Sequence, residues 1–275
     1  MPPLRVISWN TANRKKRAQD QAGSLISRSP DLVTLQEVTH NTVNTLRESL
    51  KEGGLVHTSF SEPIEGPKSR SYGVLVASRF PFKPLSPLPV PWPEKVMSVI
   101  VSINDSTVEL HTAHIPNGSN NGLIKIETLE GVYSGLAKES TIPRILTGDF
   151  NTPQAELPSG EVVTWAQKIS SDGSVKMKKK LRWECMPADW DKGERRLLTD
   201  LSEFGIIDSF RSLHGYSVTG HSWVLKRKGE IKAQRRFDHI LSSLRSLECR
   251  YIHEWRENKL SDHSPIEAVL DINHR

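Results

Sequence analysis

Short apolar runs, each about the length of one strand and each bordered by a polar signature, recur from one end of this chain to the other. The run 4–8 leads into Trp9-Asn10, 31–35 into Gln36-Glu37, and 142–147 into Gly148-Asp149-Phe150-Asn151. Near the carboxy terminus Phe237-Asp238-His239 opens the run 240–241, and Ser261-Asp262-His263 precedes the apolar 266–270. One Asp-His pair means little, because most such pairs are surface polar residues. Five signatures at strand ends describe a rigid scaffold that gathers distant side chains into a metal and phosphate site.

The signatures extend from Asn10 to His263, so a single site needs nearly the whole chain, and one domain over 1–275 is the expectation. The apolar share of 36% and charged share of 25% suit a globular protein with a core. No stretch approaches the roughly 20 apolar residues of a membrane helix, and no apolar segment of a secretory leader precedes the first strand. An intracellular protein is expected, with Cys185 and Cys249 as reduced thiols, since they lack zinc-ligand or framework spacing.

Lys and Arg number 37 against 32 Asp and Glu, a net charge of +5. Two clusters hold much of the surplus: Arg14-Lys15-Lys16-Arg17, four residues beyond Asn10, and Lys176, Lys178, Lys179, Lys180 and Arg182. Such clusters are ordinarily solvated faces. The first must lie near whatever site Asn10 serves, and Lys or Arg beside a phosphate site attract polyanions.

The pattern predicts strands at 4–9, 31–35, 72–77, 98–103, 108–115, 142–146, 237–241, 250–255 and 266–270. Helices are expected at 16–26, 42–50, 123–136 and 195–204. Residues 153–192 lack clear periodicity and are expected to form a basic insertion or arm near the site. Helices interrupt the strands irregularly, which argues against a doubly wound sheet or a TIM barrel and for an α+β fold of packed sheets flanked by helices.

Trp9-Asn10, Leu35-Gln36-Glu37, Thr112-Ala113-His114 with Pro116-Asn117, Thr147-Gly148-Asp149-Phe150-Asn151, Phe237-Asp238-His239 and Ser261-Asp262-His263 occur in one order. Together they resemble the endonuclease/exonuclease/phosphatase superfamily, which includes DNase I and the exonuclease III-type abasic endonucleases. The resemblance covers about residues 4–271. It implies a four-layer αββα sandwich, two mostly antiparallel sheets flanked by helices, with the site at one sheet edge.

Hydrolysing a phosphodiester requires an activated water, relief of charge on the phosphoryl oxygens and help for the leaving oxygen. Glu37 is a hard oxygen donor suited to Mg²⁺, with Mn²⁺ able to substitute. Asn10 stands beside it, to orient the metal shell or hold a phosphoryl oxygen, and Asp262 is a second carboxylate for the metal. Asp149 and Asn151 share one side of an extended strand end, with Phe150 behind. Asp149 is the preferred group for orienting or deprotonating water, and Asn151 for holding phosphate or water, though the same residues also read as a turn.

His263 is expected at the scissile phosphate, oriented and kept protonated by Asp238. His114 and Asn117 sit where the superfamily has a phosphate-contacting tyrosine or histidine and then an asparagine. His239 and His111 are expected to be structural. Lys125 reads either as a contact to a flanking phosphate or as a solvent-exposed lysine.

The branch is less legible than the superfamily. The turn at Asn117 before a long helix resembles the exonuclease III side. Ala12 stands where abasic-site enzymes carry a carboxylate, and Arg235 where they carry an aromatic. Trp223 and Phe237 remain to line a sugar pocket. The main reading is a nuclease that cuts DNA as a monomer. The alternatives are a phosphatase or phosphodiesterase of inositol or other small or lipid phosphates, and a non-catalytic binding scaffold.

Overall fold

Leu32, Val33, Thr34, Leu35 and Gln36 are each fully shielded from solvent. Because successive residues of a strand face opposite sides, a strand buried on both faces needs a layer above and a layer below. The computed structural model, which describes residues 2–64 and 70–273, supplies both.

Two six-stranded sheets form the centre. In spatial order the first contains Arg245–Tyr251, Ile266–Asp271, Leu4–Asn10, Leu32–Val38, Gly73–Ser78 and His57–Phe60. The second contains Ile207–Asp208, Asp238–Ser242, Arg144–Asp149, Ser106–His114, Val96–Ile103 and Phe82–Pro84. Each sheet has one parallel pair, Leu4–Asn10 with Leu32–Val38 and Ser106–His114 with Arg144–Asp149, and the remaining neighbours are antiparallel.

Three apolar cores separate four layers. Between the sheets lie Val6, Leu32 and Val76 from one and Val99, Leu110, Ile145 and Ile240 from the other. Outside the first sheet, helices Ala18–Ser27 and His40–Glu52 bury Leu25, Leu46 and Leu50 against Ile7, Val33 and Leu75. Outside the second, helices Ile124–Leu136 and Pro187–Leu198 bury Leu129, Val132 and Leu197 against Ala113 and Leu146. This is the αββα sandwich that the superfamily resemblance implies.

The parallel pairs place the site. Both strands of each pair end at the same edge, bringing Asn10, Gln36 and Glu37 opposite His114 and Asp149. Asp238–Ser242 and Ile266–Asp271 run the other way and begin there, so Asp238 pairs with Asp149 and His263 lies just ahead of its strand. The interior turns polar toward this edge. Thr34 Oγ1 meets Thr147 Oγ1 at 2.8 Å across the sheets, and Gln36 Nε2 lies 3.2 Å from both Ser8 Oγ and Thr112 Oγ1.

Several sequence-based boundaries shift. The strand expected at 250–255 is Arg245–Tyr251, and Trp255 belongs to helix His253–Glu257, where it packs 5.0 Å from Trp9 in the outer core. The helix expected at 195–204 is Pro187–Leu198 followed by a 3-10 turn, Asp200–Phe204. Pro187 opens it, a position where proline's missing N–H is no loss. Residues 153–192 also carry two small ribbons, Ala155–Glu156 with Val162–Val163 and Gln167–Ile169 with Val175–Met177. The hairpin Trp223–Arg227 and Glu230–Arg235 turns at Lys228-Gly229, both at positive φ. Cys185 and Cys249 are free. No helix among the described residues is long and apolar enough to cross a membrane.

Candidate active site

Asp149 is the hub. Its carboxylate accepts from Asn10 Nδ2 at 2.9 Å through Oδ2 and from the Asn151 backbone N–H at 2.9 Å through Oδ1. The same Oδ2 stands 4.0 Å from His263 Nε2 and 4.0 Å from His114 Nε2. Burial pushes the Asp149 carboxyl up to about 7. Asp238 adds to the rise, while His263 and the hydrogen bond from Asn10 oppose it.

His263 hangs between two carboxylates. Its Nδ1 donates to Asp238 Oδ2 at 2.7 Å, leaving Nε2 aimed at Asp149. Burial works against a charged ring, but Asp238 and Asp149 outweigh it and raise the imidazole to about 10. The Trp9 indole N–H donates to the His263 carbonyl at 2.9 Å, and Ser261 Oγ ties the same turn to the Asn10 carbonyl at 2.7 Å. Asp238 in turn is fixed through its backbone, its N–H to Ser222 Oγ and its carbonyl to the Tyr251 hydroxyl.

Glu37 lies in a bulge, where the pairing of its strand with Gly73–Ser78 slips between Leu35 and Val38. Its φ is +56°. A glutamate in the left-handed region is strained, and such strain gathers where a side chain must be aimed. The bulge turns the carboxylate toward Asn10, whose Nδ2 donates to Oε1 at 3.2 Å, and toward His114 Nε2 at 3.8 Å. Burial pushes this carboxyl up as well. Asp262 is exposed and near enough for its charge to act on both Glu37 and His263.

His114 is buried, and its Nδ1 has no hydrogen-bond partner. Burial, with Lys95 and His263 nearby, holds it well below the ordinary histidine range, so it is neutral where His263 is charged. Asn117 lines the cavity and caps the short helix Gly118–Asn121, its Oδ1 accepting from Ser119 N at 2.8 Å. Asn151 takes the turn rather than the extended geometry. Its φ is +52°, its Nδ2 donates to the Ile115 carbonyl at 2.9 Å, and Phe150 is buried behind it against His239.

His239 is structural, stacked on Phe150 with Nε2 3.0 Å from the Thr152 carbonyl, and His111 hydrogen-bonds Ser98 Oγ at 2.8 Å.

One expectation needs correction. Lys125 is neither solvent-exposed nor free for a flanking phosphate. It is buried, ion-paired with Glu194, and donates to the Asn151 carbonyl at 3.0 Å. A buried ammonium requires such partners, and its place on the buried face of the first turn of helix Ile124–Leu136 supplies them. Arg14 is exposed and does not line the cavity, and the neighbouring Arg17 is engaged with Asp20 at 3.1 Å.

The cavity at this edge measures about 1070 Å³. Asn117, Lys125, Trp223, Phe237 and Arg235 line it, together with residues the sequence did not single out: Tyr72, Lys95, Trp165, Trp183 and Trp190. Trp223 stacks on Phe237 at 5.6 Å and bridges to His263. Lys95 is buried, donates to the Tyr72 carbonyl at 2.9 Å, and is lowered to about 8 by burial, with Glu94 and Glu37 opposing. No periodicity marks such residues; Lys95 follows the turn Trp92-Pro93-Glu94 and reads as surface.

A model of the Endonuclease/Exonuclease/phosphatase family matches residues 7–263. The chain is also similar to solved structures that cover 98% of it. An AP endonuclease from Archaeoglobus fulgidus is 21% identical, with TM-score 0.70 and 100% of that chain covered. D. rerio TDP2 complexed with single strand DNA product is 16% identical, with TM-score 0.67 and 99% covered. The 3′ phosphatase NExo from Neisseria bound to product DNA hairpin is 21% identical, with TM-score 0.65 and 99% covered. No curated protein sequence matches.

Proposed function

The chain belongs to the endonuclease/exonuclease/phosphatase family, and from that premise we propose that it is a divalent-metal-dependent nuclease that hydrolyses DNA phosphodiesters by in-line attack of water. The observation that carries this reading is the Asp149 carboxylate, held by Asn10 between a charged imidazole, His263, and a neutral one, His114.

Asp149 is the base that orients and deprotonates the water. Near pH 7 a carboxyl raised to about 7 is basic enough to take a proton while still partly ionised. The His263 imidazolium, kept charged by Asp238, donates Nε2–H to a non-bridging phosphoryl oxygen. Neutral His114 sits on the other side of Asp149, placed to donate to the phosphoryl group or the leaving oxygen. Asn117 and Asn151 face the same cavity and contact the phosphate, and Trp223 lies against the sugar.

Glu37 and Asn10 would hold the metal, with Asp262 nearby. The donor set fits Mg²⁺ or Mn²⁺. Glu37 is a hard carboxylate whose charge burial disfavours without a cation, and the neighbouring Asn10 amide donates to it through Nδ2 and so orients it. When bound, the ion would relieve charge on the phosphoryl oxygens and lower the pKa of water. All of this chemistry falls to one 1–275 unit acting as a monomer, with 153–192 as a basic arm beside the site.

The test is a hydrolysis panel in Mg²⁺ and in EDTA with wild type and Asp149→Asn. The substrates are plasmid DNA, duplexes with and without an abasic site, single-stranded DNA, RNA and inositol phosphates. Metal-dependent cutting of DNA that disappears in Asp149→Asn is expected. Phosphate release from inositol phosphates with nucleic acids untouched would replace this reading with the phosphatase one.

A further inference from the structure

The arm at 153–192 takes no part in the chemistry above, yet it builds one wall of the cavity. Trp165, Lys178, Arg182 and Trp183 line it from this side, joined by Arg235 from the hairpin. They form two guanidinium-on-indole stacks. The Arg235 guanidinium lies 4.6 Å from the Trp165 ring centre, and that of Arg182 lies 5.1 Å from the Trp183 ring centre.

The wall is fastened to the catalytic turn. The Trp165 indole N–H donates to the Asn151 carbonyl at 3.0 Å, and Asn151 N–H donates to Asp149. Fully buried Glu194 accepts the Trp165 backbone N–H at 2.8 Å and the Trp190 indole N–H at 2.9 Å, and pairs with Lys125. Lys178 Nζ donates to the Trp165 carbonyl at 2.6 Å. Trp183 lies so close to Gly122 that an added Cβ there would meet the ring at 3.1 Å. The indoles are therefore held in position rather than left as loop side chains.

We propose that this wall is a subsite for unpaired nucleotides next to the scissile phosphate, so that the preferred substrate is single-stranded nucleic acid or a duplex end with an unpaired tail. The proposal rests on the nuclease reading and narrows it. Every base has a π face, and aromatic platforms with interleaved cations bind single strands with little sequence preference. Arg can stack on a base or pair with a backbone phosphate. Inside a duplex both faces of each base are already stacked, so paired bases gain nothing from the wall. A small polyphosphate needs the cations but not the indoles.

The experiment is fluorescence anisotropy in EDTA, which prevents cutting, with a labelled oligonucleotide of about 10 nucleotides and a blunt duplex of equal length. The proteins are wild type, Trp183→Ala, Trp183→Phe and Arg182→Ala. Wild type is expected to bind the single strand about tenfold or more tightly than the duplex. Trp183→Ala should lose about tenfold on the single strand, as stacking of one base implies, and little on the duplex. Trp183→Phe should keep most of the affinity, and exposed Arg182, whose loss leaves the packing intact, should follow Trp183→Ala in direction. Equal binding of both ligands, or single-strand affinity indifferent to Trp183 and Arg182, would overturn the subsite. If DNA is still cut in Mg²⁺ under that outcome, the nuclease reading survives; if inositol phosphates are hydrolysed and no nucleic acid is bound, both fall.

Discussion

His263 Nδ1 donates to Asp238 Oδ2 at 2.7 Å, and this contact decides the charge of the imidazole. Asp238 is fully buried, and its other oxygen, Oδ1, has no partner. The two groups therefore neutralise one another. A folded-state value of about 10 for His263, above the ordinary 6.5, means that its contribution to stability is complete below pH 6.5 and disappears as the pH rises through about 10. Asp238→Asn should leave the ring neutral at pH 7 and cut turnover by about 10²-fold or more. NMR titration of the ring reads the first effect directly. Wild-type turnover with an unchanged titration would show that Asp238 does not set the charge.

Asp149 and Glu37 are both raised by burial, so without a cation their ionisation opposes folding. For Asp149 the loss of stability falls between the ordinary carboxyl value of 3.8 and about 7, because the neutral form is the one the fold favours. A divalent ion should reverse this. The melting temperature is expected to rise on adding Mg²⁺ or Mn²⁺, with a larger increment at pH 8 than at pH 5.5, and binding should release protons. An increment independent of pH would separate the metal from these carboxylates.

Glu37→Gln keeps the hydrogen-bonding shape but removes the charge. Metal affinity measured by titration calorimetry should fall about tenfold or more, and turnover with it, with partial rescue by excess Mg²⁺ or Mn²⁺. A fully active variant with no metal requirement would move the ion away from Glu37.

The groups legible in the sequence were those at strand ends, because a strand's direction and period fix where its last side chain points. Asn10, His114, Asp149 and Asp238 follow from this, and so does their meeting at one edge, while His263 stands in the turn just ahead of the strand Ile266–Asp271. Glu37 was identified by its neighbours, but the bulge and the positive φ that aim it leave no mark in the residue types. Lys125 was misjudged because burial of a helical lysine depends on Glu194, 69 positions away. The arm was opaque for a related reason. Its ribbons are two or three residues long, too short for periodicity, and its shape comes from Trp165 and Glu194 contacts.

The Lys125–Glu194 pair is buried on both sides, so removing one partner strands a charge. Glu194→Ala should destabilise the protein by about 3 to 5 kcal/mol in denaturant unfolding. It should also loosen the Asn151 turn and lower turnover. The double variant Lys125→Met with Glu194→Gln removes both charges and keeps an acceptor for Trp165 and Trp190, so it should recover much of the stability. Equal destabilisation in the single and double variants would show that packing, not the unpaired charge, is what Glu194 supplies.

Lys178 lines the cavity and is anchored on the Trp165 carbonyl, and Lys179 and Lys180, next to it in sequence, are exposed. Backbone phosphates that they neutralise release counterions, so the three should set part of the salt dependence of binding. Changing all three to Gln should weaken DNA binding and flatten the plot of log affinity against log salt by about 0.7 per lost phosphate contact on a single strand. The Arg182–Trp183 stack would be untouched, so the preference for a single strand over a duplex should persist at lower overall affinity. A slope equal to wild type would place the bound backbone away from the arm and leave these lysines as surface charge.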